Sequence, residues 1–323
     1  ASKGVHILVP RDRIDSEVSV FVRAEDSVLF IRTWGAHWLI GTTDTPWEQG
    51  LDHPAASASD IEYLLRNVNR VLNVELGVAD IDGVYAGLRP LIKGKEGATS
   101  DLSREHAVET TVPGFTTIAG GKYTTYRVMA EDAVNAAIAD LQSRGLIDTV
   151  ANSDTENIPL IGATDLAEAQ TRLQANAKSF GVSSEGVDHL LKRYGSMVGE
   201  LISILKYRPE LAAPIAGEVA GGPGYLRVEA LYAVTHEGAL HIDDILTRRT
   251  HLSIETPDQG LAAAEEVAQI MGAELGWDEQ RIQIELTHYQ DRVAAEREAH
   301  TAVDDSGAML ARNRVPDIRL TRV

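Results

Sequence analysis

Apolar and polar residues alternate in short runs over the first forty or so residues of the chain. The runs are GVHILVP, VSVFVR, SVLFIRTW and HWLIGTT, and the segments RDRIDSE, AED and GA separate them. Alternation with a period of two is typical of β-strands, and short polar breaks between such runs indicate tight turns. The start of the chain therefore predicts a group of antiparallel strands.

Helical spacing replaces this alternation in two later segments, residues 57–76 and 124–141. The predicted apolar face of the first helix consists of Ile61, Leu64, Leu65, Val68 and Leu72, and that of the second of Val128, Ala130, Val134 and Ala137. Ser57 or Ser59 is a suitable N-terminal cap for the first helix. Between the helices, IDGVYAGLRPL, HAVETT and FTTIAG are predicted strands, and the loop KGKEGATSD follows the first of them.

The second half has a different composition, with Ala, Glu, Gln and Leu at helical spacing. We expect about six helices there, after a polar linker. The predicted divisions are residues 1–147, a linker at 148–160 and a helical domain at 161–323. The predicted fold class is α+β, with an antiparallel or mixed sheet and flanking helices followed by an all-α domain.

Composition and charge narrow the classes of protein. The 323 residues are 44% hydrophobic and carry a formal net charge of −18, which argues against a general nucleic-acid-binding surface. The sequence has no run of eighteen apolar residues that would predict a transmembrane helix, and no long apolar region near the N-terminus that would predict a signal peptide. The sequence contains no cysteine, which favours a reducing compartment. We therefore predict a cytoplasmic location.

The junction IAGGKYTTYRVMAEDAV, residues 118–134, joins a predicted strand to a helix. Gly120 and Gly121 allow a sharp turn or a close approach to a ligand, and Thr124 or Thr125 is a suitable helix cap. A helix start offers N–H groups and a partial positive charge to an anion. An ordinary strand-to-helix turn with Lys122 in solvent explains the same residues, so both interpretations stay open.

Three further side chains are candidates for a site. Arg89 ends a predicted strand in YAGLRP, and Arg104 follows the glycine-containing loop in TSDLSREHAV. If these guanidinium groups converge with Lys122, they can hold a phosphate or carboxylate; surface ion pairs are the alternative. His6 points to the opposite strand face from its apolar neighbours and is either a proton acceptor or a structural histidine.

The segment HEGALHIDDIL contains His236 and His241, but they are five positions apart, about 140° around a helix. This spacing argues against a zinc site, and no metal site is predicted. Asp243 and Asp244 are instead predicted to cap a helix over ILTRRTHL. The dinucleotide fingerprint GxGxxG does not occur in the sequence.

Seven motifs follow one another along the chain: SKGVH, VPR, IGTTDTP, YAGLRPL, TSDLSREH, AGGKYTTYRVMAEDAV and DDILTRRTHL. In order and spacing they resemble the FAD-dependent glycerol-3-phosphate dehydrogenases, over nearly the whole chain. Enzymes of that family begin with a glycine fingerprint that binds the ADP half of FAD. Because the fingerprint is missing, the chain resembles their C-terminal portion, with residues 1–147 as part of the FAD- and substrate-binding domain.

The resemblance implies roles for named residues. His6, Arg89 and Lys122 would surround the C2 hydroxyl of the substrate as catalytic residues, and Arg104 would contact its phosphate. The implied contacts with the flavin ring are Gly120, Gly121, Thr124 and Thr125.

The resemblance also implies an activity, the oxidation of sn-glycerol 3-phosphate to dihydroxyacetone phosphate by FAD. Quinone is the implied electron acceptor, with peripheral membrane contact on the cytoplasmic side, and the oligomeric state stays open. The alternatives are a glycerol-3-phosphate oxidase that uses oxygen and a non-catalytic binding or scaffolding module. Because the ADP-binding segment is missing, we expect residues 1–323 alone to hold no FAD stably and to show no dehydrogenase activity.

Overall fold

The computed structural model describes residues 1–25, 28–92, 105–215 and 224–320. The strands in these ranges are β1 (Ser2–Pro10), β2 (Val20–Arg23), β3 (Val28–Trp34), β4 (His37–Gly41), β5 (Thr45–Pro46), β6 (Gly83–Arg89), β7 (His106–Val112) and β8 (Phe115–Gly120). The helices are α1 (Ala58–Asn69), α2 (Tyr126–Ser143), α3 (Leu166–Phe180), α4 (Ser184–Tyr194), α5 (Val198–Tyr207), α6 (Arg227–Thr235), α7 (Leu252–Glu255), α8 (Leu261–Leu275), α9 (Glu279–Thr301) and α10 (Asp305–Arg312).

The chain divides into two compact units. The hairpin unit comprises Ala1–Lys3, Asp44–Glu48 and Leu88–Leu160. The main unit comprises Gly4–Thr43, Gln49–Gly87 and Ile161–Val323. Several segments of the chain therefore contribute to each unit.

The first strands of the main unit pair in antiparallel fashion, as predicted. Strand β4 pairs with β1 on one side and with β3 on the other, and β2 pairs with β3. Alternate residues of β1, namely Val5, Ile7 and Val9, enter one apolar core, as the alternation predicts. Helix α1 covers this core with Ile61, Leu64, Leu65 and Val68, each of which is buried.

Helix α1 begins at a capping box. The backbone N–H of Ser57 donates to Asp60 Oδ2 at 2.9 Å, and the Ser57 hydroxyl donates to the same oxygen at 2.8 Å. The predicted cap at Ser57 is therefore confirmed, and the helix ends at Asn69 rather than near residue 76. Reciprocal bonds of this kind satisfy N–H groups that have no partner inside the helix.

From residue 161 onward the described secondary structure is helical, apart from one isolated bridge between Pro214 and Leu226. One apolar core there draws on α3, α4, α5 and α6, and another on α6, α8 and α9. The described residues contain eight α-helices in this region against about six expected, and α7 is a single turn. The α+β fold with a helical second half is confirmed.

The hairpin unit contains β7 and β8 as an antiparallel pair, with α2 in contact with both strands. It also contains the first residues of β1, where Ser2 and Lys3 pair with Pro46 and Thr45. No residue of α2 is fully buried, and Val128 and Val134, on its predicted apolar face, are 42% and 56% exposed. Part of the predicted apolar face of α2 is therefore exposed in the described unit.

Candidate functional site

The glycine pair at the end of β8 forms a tight turn. Gly120 and Gly121 have φ values of +75° and +77°, which lie in the left-handed region that favours glycine. A Cβ atom on Gly120 would lie 2.7 Å from the carbonyl oxygen of Glu105, and one on Gly121 would lie 2.5 Å from Met129 Sδ. Gly120 therefore requires glycine because of both its φ value and the fixed backbone oxygen, whereas Gly121 requires it because of φ, since the end of the Met129 side chain can move.

The start of α2 differs from the prediction in one detail. A 3₁₀ turn, Tyr123–Thr125, precedes the α-helix, which begins at Tyr126. The hydroxyl of Thr125 donates to the carbonyl oxygen of Lys122 at 3.0 Å instead of accepting a bond from an α2 N–H. Thr125 is therefore the N-cap residue of α2, as predicted, but its hydroxyl closes the preceding turn instead of accepting from the helix.

Four consecutive side chains of this turn, from Lys122 to Thr125, are exposed. Among the residues that the structure describes, no carboxylate lies within 4 Å of the Lys122 ammonium group. The helix that follows has 18 residues, so its N-terminus carries a partial positive charge close to this lysine. The turn therefore presents cationic character to solvent.

Arg89, the last residue of β6, lies in the hairpin unit and has acidic and hydroxyl partners. Its Nη1 donates to Ser2 Oγ at 3.2 Å and lies 3.4 Å from Asp44 Oδ1. Ser2 Oγ also donates to Asp44 in a short hydrogen bond. The guanidinium group is thus held in a partly buried ion pair, one of the two arrangements that the sequence left open.

His6 lies in the main unit, in contact with the Tyr85 ring and close to the backbone of Gly41. Its ring stacks on the Tyr85 ring, with centroids 5.0 Å apart and an interplanar angle of 9°. Gly41 is its cross-strand partner, and a Cβ atom there would lie 2.3 Å from His6 Cδ2. Burial raises the pKa of Tyr85. Tyr85 and Gly41 together fix the position of the imidazole.

The predicted site residues divide between the two units. His6 belongs to the main unit, whereas Arg89, Lys122 and the flavin-contact candidates Gly120, Gly121, Thr124 and Thr125 belong to the hairpin unit. Arg104 lies outside the described residues. The roles assigned to these residues stay predictions.

The segment after His241 forms a helical turn that begins at the two predicted aspartates. Residues Asp244–Arg249 form a π-helical turn, and Asp244 Oδ2 accepts from the N–H groups of Leu240 and His241 at 3.0 and 3.1 Å. Asp243 instead forms short ion pairs with arginine side chains. Asp243 is nevertheless the N-cap residue and Asp244 lies in the first turn, so both aspartates lie at the helix start as predicted, although the Asp243 side chain makes no capping hydrogen bond.

Sequence reasoning missed a buried polar cluster around Glu229 of α6. This carboxylate is 1% exposed and accepts from the N–H of Leu226 at 2.7 Å, from His189 Nε2 at 3.0 Å and from the Tyr194 hydroxyl at 3.1 Å. Arg193 Nε lies 3.2 Å from it. Burial, with the Glu229 charge, raises the pKa of Tyr194. The available signal was a single acidic residue within the apolar run YLRVEALYAV.

No helix among the described residues is long and apolar enough to cross a membrane.

Two family models match the chain in succession. Residues 1–127 match the model described as FAD dependent oxidoreductase, and residues 153–282 match the C-terminal domain of alpha-glycerophosphate oxidase. The first match lies within the predicted division 1–147, whereas the second begins inside the predicted linker and continues into the predicted helical division. The division limits themselves are not tested by these matches.

Individual relatives carry one common name. A glycerol-3-phosphate dehydrogenase of Mycobacterium leprae (strain TN) is 49% identical over 98% of this chain and 53% of its own length. Glycerol-3-phosphate dehydrogenase 2 of Mycobacterium tuberculosis (strain ATCC 25618 / H37Rv) is 47% identical over 99% of this chain and 53% of its own length. The chain therefore spans about half the length of the curated relatives that it matches.

A solved structure agrees with these relatives. The glycerol-3-phosphate dehydrogenase from Bacillus halodurans, complexed with FAD, has a TM-score of 0.69 and 26% sequence identity, over 94% of this chain and 57% of that chain. The resemblance read from seven motifs is confirmed: over almost its whole length, the chain is related to the FAD-dependent glycerol-3-phosphate dehydrogenases.

Proposed function

We propose that the protein to which this sequence belongs is a flavoenzyme that oxidises sn-glycerol 3-phosphate to dihydroxyacetone phosphate. The observation that carries this proposal is the 49% identity to a glycerol-3-phosphate dehydrogenase over 98% of the chain. The proposal includes quinone as the electron acceptor and a cytoplasmic location with peripheral membrane contact. It also retains the limits 1–147 for the FAD- and substrate-binding part, 148–160 for the linker and 161–323 for the helical domain.

The start of α2 fits a flavin ring in its chemistry. The exposed N-terminus of an 18-residue helix, with Lys122 beside it, offers positive charge to an electron-rich ring. The left-handed turn at Gly120 and Gly121 places two residues without Cβ atoms next to this helix start. In the proposal, these glycines, with Thr124 and Thr125, would contact the ring. When bound, FAD supplies the acceptor for the hydride that leaves C2.

The chain's own residues handle the proton and the charge in this proposal. His6 takes the proton from the C2 hydroxyl, because an imidazole has an ordinary pKa near neutrality. Arg89 and Lys122 stabilise the negative charge that develops on that oxygen. Arg104 binds the phosphate through charge-assisted hydrogen bonds. Ser2 and Asp44 hold the Arg89 guanidinium in place, and Tyr85 holds the His6 ring.

The experiment is a kinetic comparison in a protein that carries this sequence and has the length of the mycobacterial relatives. His6→Ala and Lys122→Ala should lower kcat, because both groups act on charge that develops in the transition state. Arg104→Ala should raise KM about ten- to a hundredfold, because the phosphate loses a charge-assisted bond worth about 1.5–3 kcal/mol. Lys206→Ala, at an exposed position of α5, is the control and should leave both constants unchanged.

Two results would contradict the proposed roles. An Arg104→Ala enzyme with unchanged KM would remove the phosphate role, and a His6→Ala enzyme that changes only KM would make His6 a binding residue. Failure of the unmodified enzyme to reduce FAD with glycerol 3-phosphate would reject the function as a whole and favour a non-catalytic binding or scaffolding module.

One observation favours a second function. Residues 153–282 match a domain described from alpha-glycerophosphate oxidase, so oxygen is an alternative electron acceptor. Both functions oxidise glycerol 3-phosphate; they differ in whether the electrons pass to quinone or to oxygen. Hydrogen peroxide formation in the absence of quinone would support the oxidase, whereas turnover that requires a quinone analogue would support the dehydrogenase.

A further inference from the structure

A small cavity in the helical part of the main unit is lined by four arginines, which come from different elements. The arginine pocket has a volume of about 250 Å³, and its lining includes Arg248, Arg292, Arg312, Arg319, His53 and Asp317. Arg248 belongs to the π-helical turn, Arg292 to α9, and Arg312 is the last residue of α10. None of these residues has a role in the proposed oxidation.

Three of the four arginines have acidic partners in the pocket. Asp243 forms short ion pairs with both Arg248 and Arg292. Asp317 accepts from Arg319 Nε at 2.9 Å, and this hydrogen bond lowers the pKa of the carboxyl group. The carboxylates that line the cavity therefore already balance these side chains.

Arg312 is different. It is 5% exposed, and its only hydrogen bond among the described residues runs from Nη1 to the carbonyl oxygen of Val315, at 3.4 Å. No described carboxylate lies within 4 Å of it. Burial of a cation without a close counter-charge is energetically costly. The charges of Glu296 and Asp317 act on Arg312 from beyond 4 Å, and its place in the cavity lining leaves room for a closer counter-charge from solvent.

The charge of Arg312 also acts on two neighbouring groups, Arg292 and His53. Arg292 is largely buried, and its Nε has no hydrogen-bond partner among the described residues. Burial lowers the pKa of Arg292, and the nearby charge of Arg312 lowers it further, although Glu296 acts in the opposite sense. Burial likewise lowers the pKa of His53, with additional contributions from Arg312 and Arg292 and an opposing one from Asp317. The charges of the two arginines therefore reinforce each other at the pocket.

We propose that the arginine pocket binds a phosphate group, either as inorganic phosphate or as part of a small phosphate monoester, through Arg312 and Arg292. Planar guanidinium groups match the oxygen spacing of phosphate and bind it through paired hydrogen bonds. A volume of about 250 Å³ lies below the roughly 300–1,000 Å³ of pockets for drug-sized ligands, which favours a small anion. A dianion would supply the close counter-charge that Arg312 lacks and would offset the repulsion between Arg312 and Arg292, which pairs with Asp243.

Isothermal titration calorimetry of residues 1–323 with inorganic phosphate tests the proposal, in low-salt buffer at pH 7.5. We expect saturable binding that Arg312→Gln weakens about ten- to a hundredfold, because a charge-assisted bond is lost. Arg312→Lys should bind phosphate with intermediate affinity, because the positive charge remains but the paired hydrogen bonds of the guanidinium group are lost. Arg314→Gln is the matched control: this arginine is 58% exposed, pairs with Glu298 and does not line the pocket, so affinity should not change.

The source of the phosphate is distinguished by a parallel titration with sn-glycerol 3-phosphate. Binding of the ester that Arg312→Gln also weakens would identify a phosphate monoester as a ligand, whereas binding of inorganic phosphate alone would identify the free anion. Absence of saturable binding, or equal affinity in the Arg312→Gln chain, would overturn the proposal. So would an equal loss in the Arg314→Gln chain, since it would indicate a general charge effect.

A second measurement uses the unmodified chain and so does not depend on the folding of a variant. Phenylglyoxal modifies arginine side chains, and peptide mass spectrometry locates the modified positions. Phosphate should slow the modification of Arg312 and leave that of Arg314 unchanged. Equal rates at Arg312 with and without phosphate would reject the proposed site.

Discussion

Neutralising Glu229 should strongly destabilise the helical part of the main unit. Its buried carboxylate accepts from Leu226, His189 and Tyr194 and lies 3.2 Å from Arg193 Nε. In Glu229→Gln, one oxygen becomes an NH₂ group, which cannot accept these bonds and leaves Arg193 without its counter-charge. Removal of one partner from a buried ion pair costs about 3–5 kcal/mol. At roughly 2–4 °C per kcal/mol for a unit of this size, the melting temperature should fall by roughly 6–20 °C.

Urea denaturation followed by circular dichroism measures this loss as a shift in midpoint at constant slope. Glu168→Gln is the control, because the Glu168–Arg172 pair is largely exposed, with side chains 69% and 58% accessible, and should be worth less than about 1 kcal/mol. Arg193→Met should partly rescue Glu229→Gln, since it removes the charge left unpaired. A Glu229→Gln loss no larger than that of Glu168→Gln, or no rescue by Arg193→Met, would refute the reasoning.

Three further changes test other features. Gly181→Ala should lower the free energy of unfolding by about 1 kcal/mol, because φ is +76° at this helix end. Gly199→Ala lies inside α5 with no atom closer than 3.7 Å to the new Cβ, so it should be neutral or raise the free energy of unfolding by up to about 1 kcal/mol. Thermal melts that rank the two variants the other way would contradict this. Burial lowers the pKa of His251, so the stability contributed by its neutral ring is present above about pH 6.5 and is lost as pH falls toward the lower pKa of the folded state. In thermal melts between pH 5 and 8, His251→Asn should reduce this loss of stability at acid pH. An unchanged dependence of melting temperature on pH would argue against it. Tyr85→Leu should lower kcat without raising KM if the stacked ring positions His6, and Tyr85→Phe should restore kcat; a change in KM alone would exclude that positioning role.

The sheet and the cap of α1 were predictable because their signals are local. Alternation fixes which residues of β1 enter the core, and Ser57 and Asp60 are three positions apart in the sequence. His6 could be assigned to the other strand face for the same reason. Its stacking on Tyr85 could not, because the pairing of β1 with β6 brings together residues far apart in the sequence.

The features that the sequence did not predict depend on tertiary neighbours. The apolar spacing of α2 predicts a face but does not say what covers it, and Val128 and Val134 remain exposed in the described unit. Asp243 occupies the predicted N-cap position, but its ion pairs with Arg248 and Arg292 could not be predicted, because Arg292 is distant in the sequence. The arginine pocket has no sequence signature, since its members belong to separate elements.

The lack of a buried core around β7, β8 and α2 has a consequence for the dynamics of the chain. No residue of these three elements is fully buried. Segments that bury little apolar surface open locally at low free-energy cost, while core helices open only at a cost close to that of global unfolding. Amide hydrogens of the hairpin unit should therefore exchange with deuterated solvent early, whereas those of α6 and α8, which pack around Ala230, Ala263 and Val267, should exchange last.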